Sequence, residues 1–218
     1  MSGTDLPVLM QAAVLRNFGR LELEEVPAPV AGPGEVLCRV RACGICGTDL
    51  KIVQGAYKGT WPPELPFIIG HEWSGEVAAL GPGTERSGLA VGDRIVAENH
   101  TGCGECPMCR SGRYNLCERV REPGFRLYGH TAPGALAEYA VRPATALHKV
   151  PPQVSNAAAA LVNQGALTVH AALSRSLSHA AYHVGQMVLL ARAHAGAAWK
   201  SLSIPRGKSA EVNRHLKG

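Results

Sequence analysis

Residues 34–50, GEVLCRVRACGICGTDL, carry two readings end to end. In the first half, apolar Val36, Cys38 and Val40 alternate with Leu37 and Arg39, the two-residue period of a half-buried strand. In the second, Cys46 sits in a glycine-flanked turn, where a short loop can aim a thiol at a fixed point. Outward from this stretch the same texture recurs in AAVLRNFG (12–19), RLELEEVPAPV (20–30), GHEWSGEVAALG (70–81), GDRIVAENH (92–100) and GALAEYAVRP (134–143). These are short β-branched or alternating runs punctuated by Gly and Pro, which predicts a β-rich domain up to about Pro152. After PPQVSN the chain turns to helix formers, AAAALVNQGALTVHAALSRSL (157–177), with Ser155 or Asn156 placed to cap a first turn and Gly165 dividing the run. The expected class is mostly β with some helix, α+β.

Cys103, Cys106, Cys109 and Cys117 fall in GCGECPMCRSGRYNLC with the spacing C-x2-C-x2-C-x7-C. Four thiolates brought together by such tight turns close a tetrahedron around Zn2+ and leave no position for water, so this site is expected to be structural. Paired disulfides fit poorly: there are seven cysteines, an odd number, no secretory signal is read at the start, and thiols two or three residues apart make poor partners. A ferredoxin-type cluster would use a different fourth spacing.

The 218 residues are 46% hydrophobic and 18% charged, enough for one good core. No apolar run reaches the ~20 residues of a membrane helix, because Asn163, Gln164 and Gly165 break the most apolar region. The net charge of +5 is spread along the chain with few aromatics, which gives no support to nucleic-acid binding. A soluble, cytoplasmic chain with neither membrane nor nucleic-acid partners is expected.

A second metal-ligand set is assembled from separate segments: Cys46, and His71 with Glu72 in PFIIGHEWSGEV. Thiol, imidazole and carboxylate form the set zinc uses where one position stays open to water or substrate. Either fragment alone reads as ordinary core or surface; together they read as a catalytic site. Of the remaining cysteines, Cys38 reads as core and Cys43 as core or a neighbour of the site. His100 and His130 read as loop histidines, solvent-facing or hydrogen-bonded, and His170 as packed.

The order GICGTD, P-x-x-x-GHE-x-x-G-x-V, GDRI, the four-cysteine run and GALAEYAV closely resembles the zinc-dependent medium-chain dehydrogenases, which include alcohol, polyol and threonine dehydrogenases. The resemblance covers roughly residues 10 to 172 and implies a GroES-like, partly open β-barrel catalytic domain with a structural zinc lobe at about 100–118. It implies Cys46 and His71 as ligands of a catalytic zinc, and Glu72 as a direct ligand or a neighbour that exchanges with water. It implies Thr48 as the hydroxyl that bonds a substrate alcohol and begins a proton relay, and Asp49 as the carboxylate that orients the ligand histidine. At the outer end of that relay, where many relatives have His, this chain has Lys51. Where many have a Glu-Pro pair it reads Asn163-Gln164, and an amide oxygen is a poor zinc ligand. The cofactors implied are two zinc ions and NAD(P), and the substrate a small alcohol or polyol, with Tyr57, Trp61 and Trp73 as candidates to line its pocket.

The nicotinamide half is not legible. In VGQMVLLARAHAGA (184–197), Arg192 and His194 stand where a Rossmann fingerprint places its first two glycines, and a side chain there obstructs the turn or the phosphate. A doubly wound domain usually needs ~100 residues or more. The expected division is therefore 1–172, a GroES-like zinc-binding catalytic domain, and 173–218, a helical or strand remnant and polar tail with no complete Rossmann domain. Two functional readings follow: a zinc-dependent alcohol dehydrogenase-like oxidoreductase transferring hydride between an alcohol or polyol and NAD(P), or a catalytically silent zinc-binding fragment. Self-association or pairing with a full-length relative is the partner expectation.

Overall fold

The computed structural model describes residues 6–161 apart from Arg121, Pro123 and Gly124. The expectations for Asn163, Gln164, His170, the failed fingerprint and the 173–218 remnant lie outside the described residues.

The order of elements is β1 (Leu9–Asn17), β2 (Arg20–Pro27), β3 (Glu35–Gly44), α1 (Gly47–Val53), β4 (Phe67–Ile68), β5 (Glu72–Leu80), β6 (Arg94–Ala97), α2 (Pro107–Arg110), β7 (Tyr139–Pro143), β8 (Leu147–Lys149) and α3 (Asn156–Ala160). One sheet runs β2-β1-β4 and a second β7-β3-β5-β6-β8, with antiparallel pairing throughout. The segment before β7 ties them together. Ala13 N–H donates to Leu136 O and Glu138 N–H to Gln11 O, while Val40 N–H donates to Glu138 O, so one stretch of chain bonds to both β1 and β3. The result is the GroES-like, partly open barrel expected from the motif order.

All six runs read as strand-bearing contain strands. The alternation in β3 holds on one face, with Val36 and Cys38 wholly buried, but Leu37 on the opposite face is also buried, at 3% exposure, rather than facing out. Val36, Cys38, Trp73, Val77, Ile95 and Leu147 form the main core, each large aliphatic contributing ~1.5–3 kcal/mol by leaving water. Trp73 belongs to this core, at 1% exposure. A second cluster, Leu15, Ile52, Phe67 and Ile69, seats α1 against β1 and β4 through Ile52. The glycine-flanked turn at Cys46 is thus the start of a packed helix. The expected cap after the β-rich region is Ser155, whose Oγ accepts from Ala158 N–H at 3.1 Å to start α3.

Candidate metal centres

Register in the second sheet brings the first ligand set together. Cys43 pairs with Trp73 and Gly44 with Glu72, so the last residues of β3 lie beside the first of β5. Cys46, two residues beyond β3, therefore meets His71, the residue before β5. One ligand atom from each of Cys46, His71 and Glu72 falls within 4.8 Å of the others. Gly44 lies against the Glu72 side chain, and a Cβ there would stand 3.2 Å from Oε2.

Asp49 holds two of these residues at once. Cys46 is the N-cap of α1, and its N–H donates to Asp49 Oδ2 at 2.8 Å across the first turn. The other carboxylate oxygen, Oδ1, approaches His71 Nδ1 to 3.3 Å, short of full hydrogen-bond alignment. His71 Nε2 stands 3.9 Å from Glu72 Oε1. Asp49 and Glu72 are each 2% exposed and His71 3%. Fully ionised, the group sets two buried carboxylates and a half-buried thiolate against one buried imidazole. A divalent cation corrects that imbalance. The local field shows the same preference: burial lowers the His71 pKa, but the nearby Asp49 carboxylate and Cys46 sulfur more than reverse this and raise it to about 9.

The motif GHE and the motif GALAEYAV are one construction. Gly134 N–H donates to Ile68 O, Leu136 N–H to Ile69 O and Ala135 N–H to Gly70 O, which clamps the chain leading into His71. Gly70 and Gly129 both have positive φ, and a Cβ on Gly129 would sit 2.6 Å from Gly70 O and 3.0 Å from His71 Cβ. Only glycines allow that approach.

Thr48 lies half-buried in the first turn of α1, and Lys51 is exposed in its last turn. Cys43 is half-buried against the core, and burial pushes its thiol up to about 12; it stays outside the ligand group. His130 is the residue the sequence placed least well. It is 5% exposed, its ring centroid lies 4.5 Å from that of His71 and 4.8 Å from that of Trp61, and its Nδ1 is 3.3 Å from Tyr128 O. Burial, reinforced by His71, lowers its pKa to about 4. Of the two alternatives read for it, hydrogen-bonded is right and solvent-facing is not. Its GH dipeptide resembles that at Gly70-His71, the one sequence signal available. His100 is also hydrogen-bonded, with Nδ1 2.9 Å from Asn99 Oδ1. Beyond Trp61 lies a cleft of about 740 Å3 lined by Tyr57, Trp61, Phe125, Arg126 and Thr131 among others. Its lining includes none of the three ligands; Trp61 lines it and meets the His130 ring, which in turn meets that of His71.

The second ligand set is the cysteine quartet. Its four sulfurs all lie within 4.8 Å of one another, and Cys103 Sγ is 3.9 Å from Cys109 Sγ. Tetrahedral Zn–S bonds of ≈ 2.3 Å require sulfurs about 3.8 Å apart. Glu105 and Cys106 N–H donate to Cys103 Sγ at 3.4 and 3.3 Å, and Cys109 N–H to Cys106 Sγ at 3.4 Å. These amides lower the Cys103 pKa to about 6, favouring the thiolate a metal needs. Gly102, at φ +71, has no room for a Cβ, which would meet Cys109 Sγ at 2.6 Å. The lobe is tethered to the barrel by Tyr114 Oη, which donates to Glu98 Oε2 at 2.7 Å. All seven cysteines are free thiols. Among the described residues, no helix is long and apolar enough to cross a membrane.

Comparison with known proteins matches residues 32–152 to the alcohol dehydrogenase GroES-like domain. A family described as a protein of unknown function (DUF1572) matches residues 146–208. The sorbitol dehydrogenase of Bacillus subtilis is 36% identical over 174 residues, covering 79% of this chain and 47% of its own length. The erythritol/L-threitol dehydrogenase of Mycolicibacterium smegmatis is 41% identical over 175 residues, covering 76% and 47%. The cobalt- and zinc-bound thermostable alcohol dehydrogenase of Pyrobaculum aerophilum superposes with a TM-score of 0.62 at 35% identity, over 71% of this chain and 44% of that one. The chain spans about half the length of the curated relatives it matches. With barrel, motif order and family match in agreement, the chain belongs to the zinc-dependent medium-chain dehydrogenases through their alcohol dehydrogenase GroES-like domain.

Proposed function

We propose that residues 1–172 are the zinc-binding catalytic half of an alcohol or polyol dehydrogenase, with one ion at Cys46, His71 and Glu72 and a second, structural ion at Cys103, Cys106, Cys109 and Cys117. The observation that carries this reading is the convergence of Cys46, His71 and Glu72 within 4.8 Å, with Asp49 bracing two of them. Three protein donors leave a fourth position, and a thiol–imidazole–carboxylate set whose thiol is only half-buried suits zinc in a catalytic role. Zinc supplies the Lewis acidity that makes an alcohol proton easier to remove, and NAD(P) the acceptor for hydride.

The residues of the chain serve that chemistry in separate ways. Asp49 keeps the His71 proton on Nδ1, which leaves Nε2 free to donate to a metal. Thr48, in the first turn of α1, offers a hydroxyl that takes the substrate proton at Oγ1 and passes it outward. Burial of His71, Glu72 and Asp49 keeps charge interactions among them from being damped by bulk water. The substrate class of the relatives, small alcohols and polyols, is the class proposed here.

The failed fingerprint at Arg192 and His194 favours the second reading, a silent zinc-binding fragment, for the chain by itself. Zinc stoichiometry with NAD(P)H titration separates the two. About two zinc ions per chain with measurable NADH affinity supports the dehydrogenase; two ions without cofactor binding supports the silent fragment; no zinc at the Cys46 site rejects both.

A further inference from the structure

We infer that Arg142, inside the barrel core, is the main donor of an internal binding site for a small monovalent anion of the halide class, with Tyr128 Oη as a further donor. Arg142 pairs with Val36 across β7 and β3, so its side chain enters the main core on the same face. It is 1% exposed, a rare place for a charge without a partner of opposite sign. Nη1 is spent on the backbone, donating to Val141 O at 2.8 Å and to Pro133 O at 3.4 Å. Nε and Nη2 are buried and reach no acceptor among the described residues, and Tyr128 Oη is in the same condition, in a residue 2% exposed. Buried donors of this strength are normally satisfied.

Which atoms are left over decides what they suit. Nε–H and Nη2–H leave the guanidinium side by side along one edge, the fork by which arginine grips an anion with two parallel hydrogen bonds. The faces of the group meet aromatic rings: its carbon lies 4.1 Å from the Tyr128 ring centroid and 5.3 Å from that of Trp73. Such rings favour a cation but accept nothing from donors in the plane of the fork, so a ligand comes in at the edge. The titratable groups bearing most on Arg142 are Tyr128, Cys38, Cys43 and Arg126, and none is a carboxylate. Burial raises the Tyr128 pKa and pushes both thiols up to about 12, so these three are neutral at pH 7. Burial lowers Arg142 itself only to about 10, which leaves it charged. One positive charge in an apolar core calls for one negative charge, and a core position calls for an ion of few atoms. The Tyr128 hydroxyl sits on the rim of the ring that covers the guanidinium, close enough for a single ion to touch both. The site shares no residue with either metal-ligand set.

The test melts the full zinc-loaded chain, zinc content measured first, in sodium chloride and in sodium gluconate of equal ionic strength. Gluconate is too large for a core position and serves as the blank. Chloride is expected to raise the melting temperature saturably, by about 3–6 °C once its concentration is tenfold above its dissociation constant. Arg142→Met, which keeps an apolar stem and drops the fork, should melt alike in both salts. Tyr128→Phe should need about 3- to 10-fold more chloride for the same rise, the span of one hydrogen bond. Crystals grown in sodium bromide should show anomalous scattering at hydrogen-bond distance from Nε and Nη2, a measurement on the wild type that decides the matter if Arg142→Met does not fold. Equal melts of the wild-type chain in the two salts overturn the inference. So does a chloride effect that survives in Arg142→Met, which assigns it to the metal sites or the surface, and so does water alone at the fork. Bromide at the fork without a melting shift is an adventitious ion only and also overturns it. None of these outcomes touches the dehydrogenase reading.

Discussion

Replacing Asp49 with Asn removes one charge and scarcely any volume, yet it should dismantle the accessible metal site. Cys46 N–H donates to Oδ2 at 2.8 Å, and leaving this part-buried donor unmet would cost about 1 kcal/mol. The Asn oxygen therefore stays with Cys46, which turns the amide NH2 toward His71 Nδ1. Two donors cannot face each other at 3.3 Å, so the imidazole proton moves to Nε2. That is the nitrogen the metal requires. Loss of such a supporting carboxylate costs 10–100-fold in metal affinity, about 1.4–2.7 kcal/mol. Zinc competition against a chromophoric chelator reads the loss directly, with the cysteine quartet as an internal control that should stay loaded and circular dichroism as the check on folding. An Asp49→Asn chain that binds both ions with wild-type affinity would refute the bracing role given to Asp49.

Gly129→Ala should lower stability by about 2–4 kcal/mol, from overpacking against Gly70 O and from the positive φ, visible as a drop of roughly 5–10 °C in melting temperature together with weaker zinc loading. Cys106→Ser should remove about one zinc per chain by elemental analysis and spare the ion at Cys46 and His71, because the two ligand sets share no residue. Stability should also depend on His148. Its hydrogen bond to Glu98 raises its folded pKa above 6.5, so its contribution is complete below pH 6.5 and is lost as pH rises through the folded value. Thermal melts from pH 6 to 8 should show this decline in the wild type and a flatter profile in His148→Gln.

The cysteine quartet was legible because its ligands lie within 15 residues of one another, where turn geometry alone decides whether sulfurs converge. The strands were legible for a related reason: alternation and Gly/Pro punctuation are local. Leu37 escaped because the face of β3 opposite the main core is covered too, and no pattern within one strand reports what lies over it. The short strands β4 and β8 escaped because so few residues carry no period.

From the sequence alone came the ligand types, the family and the likeness of motif order. Only the tertiary structure decided that Cys46 stands beside His71, since that depends on the register by which Gly44 pairs with Glu72 across β3 and β5. It alone decided that His130 packs on His71, because the two are 59 residues apart along the chain and the segment that follows His130 is folded back by hydrogen bonds to Ile68, Ile69 and Gly70. Metal ligands declare themselves by chemistry, whereas a side chain that works by position is visible only once the chain has closed on itself.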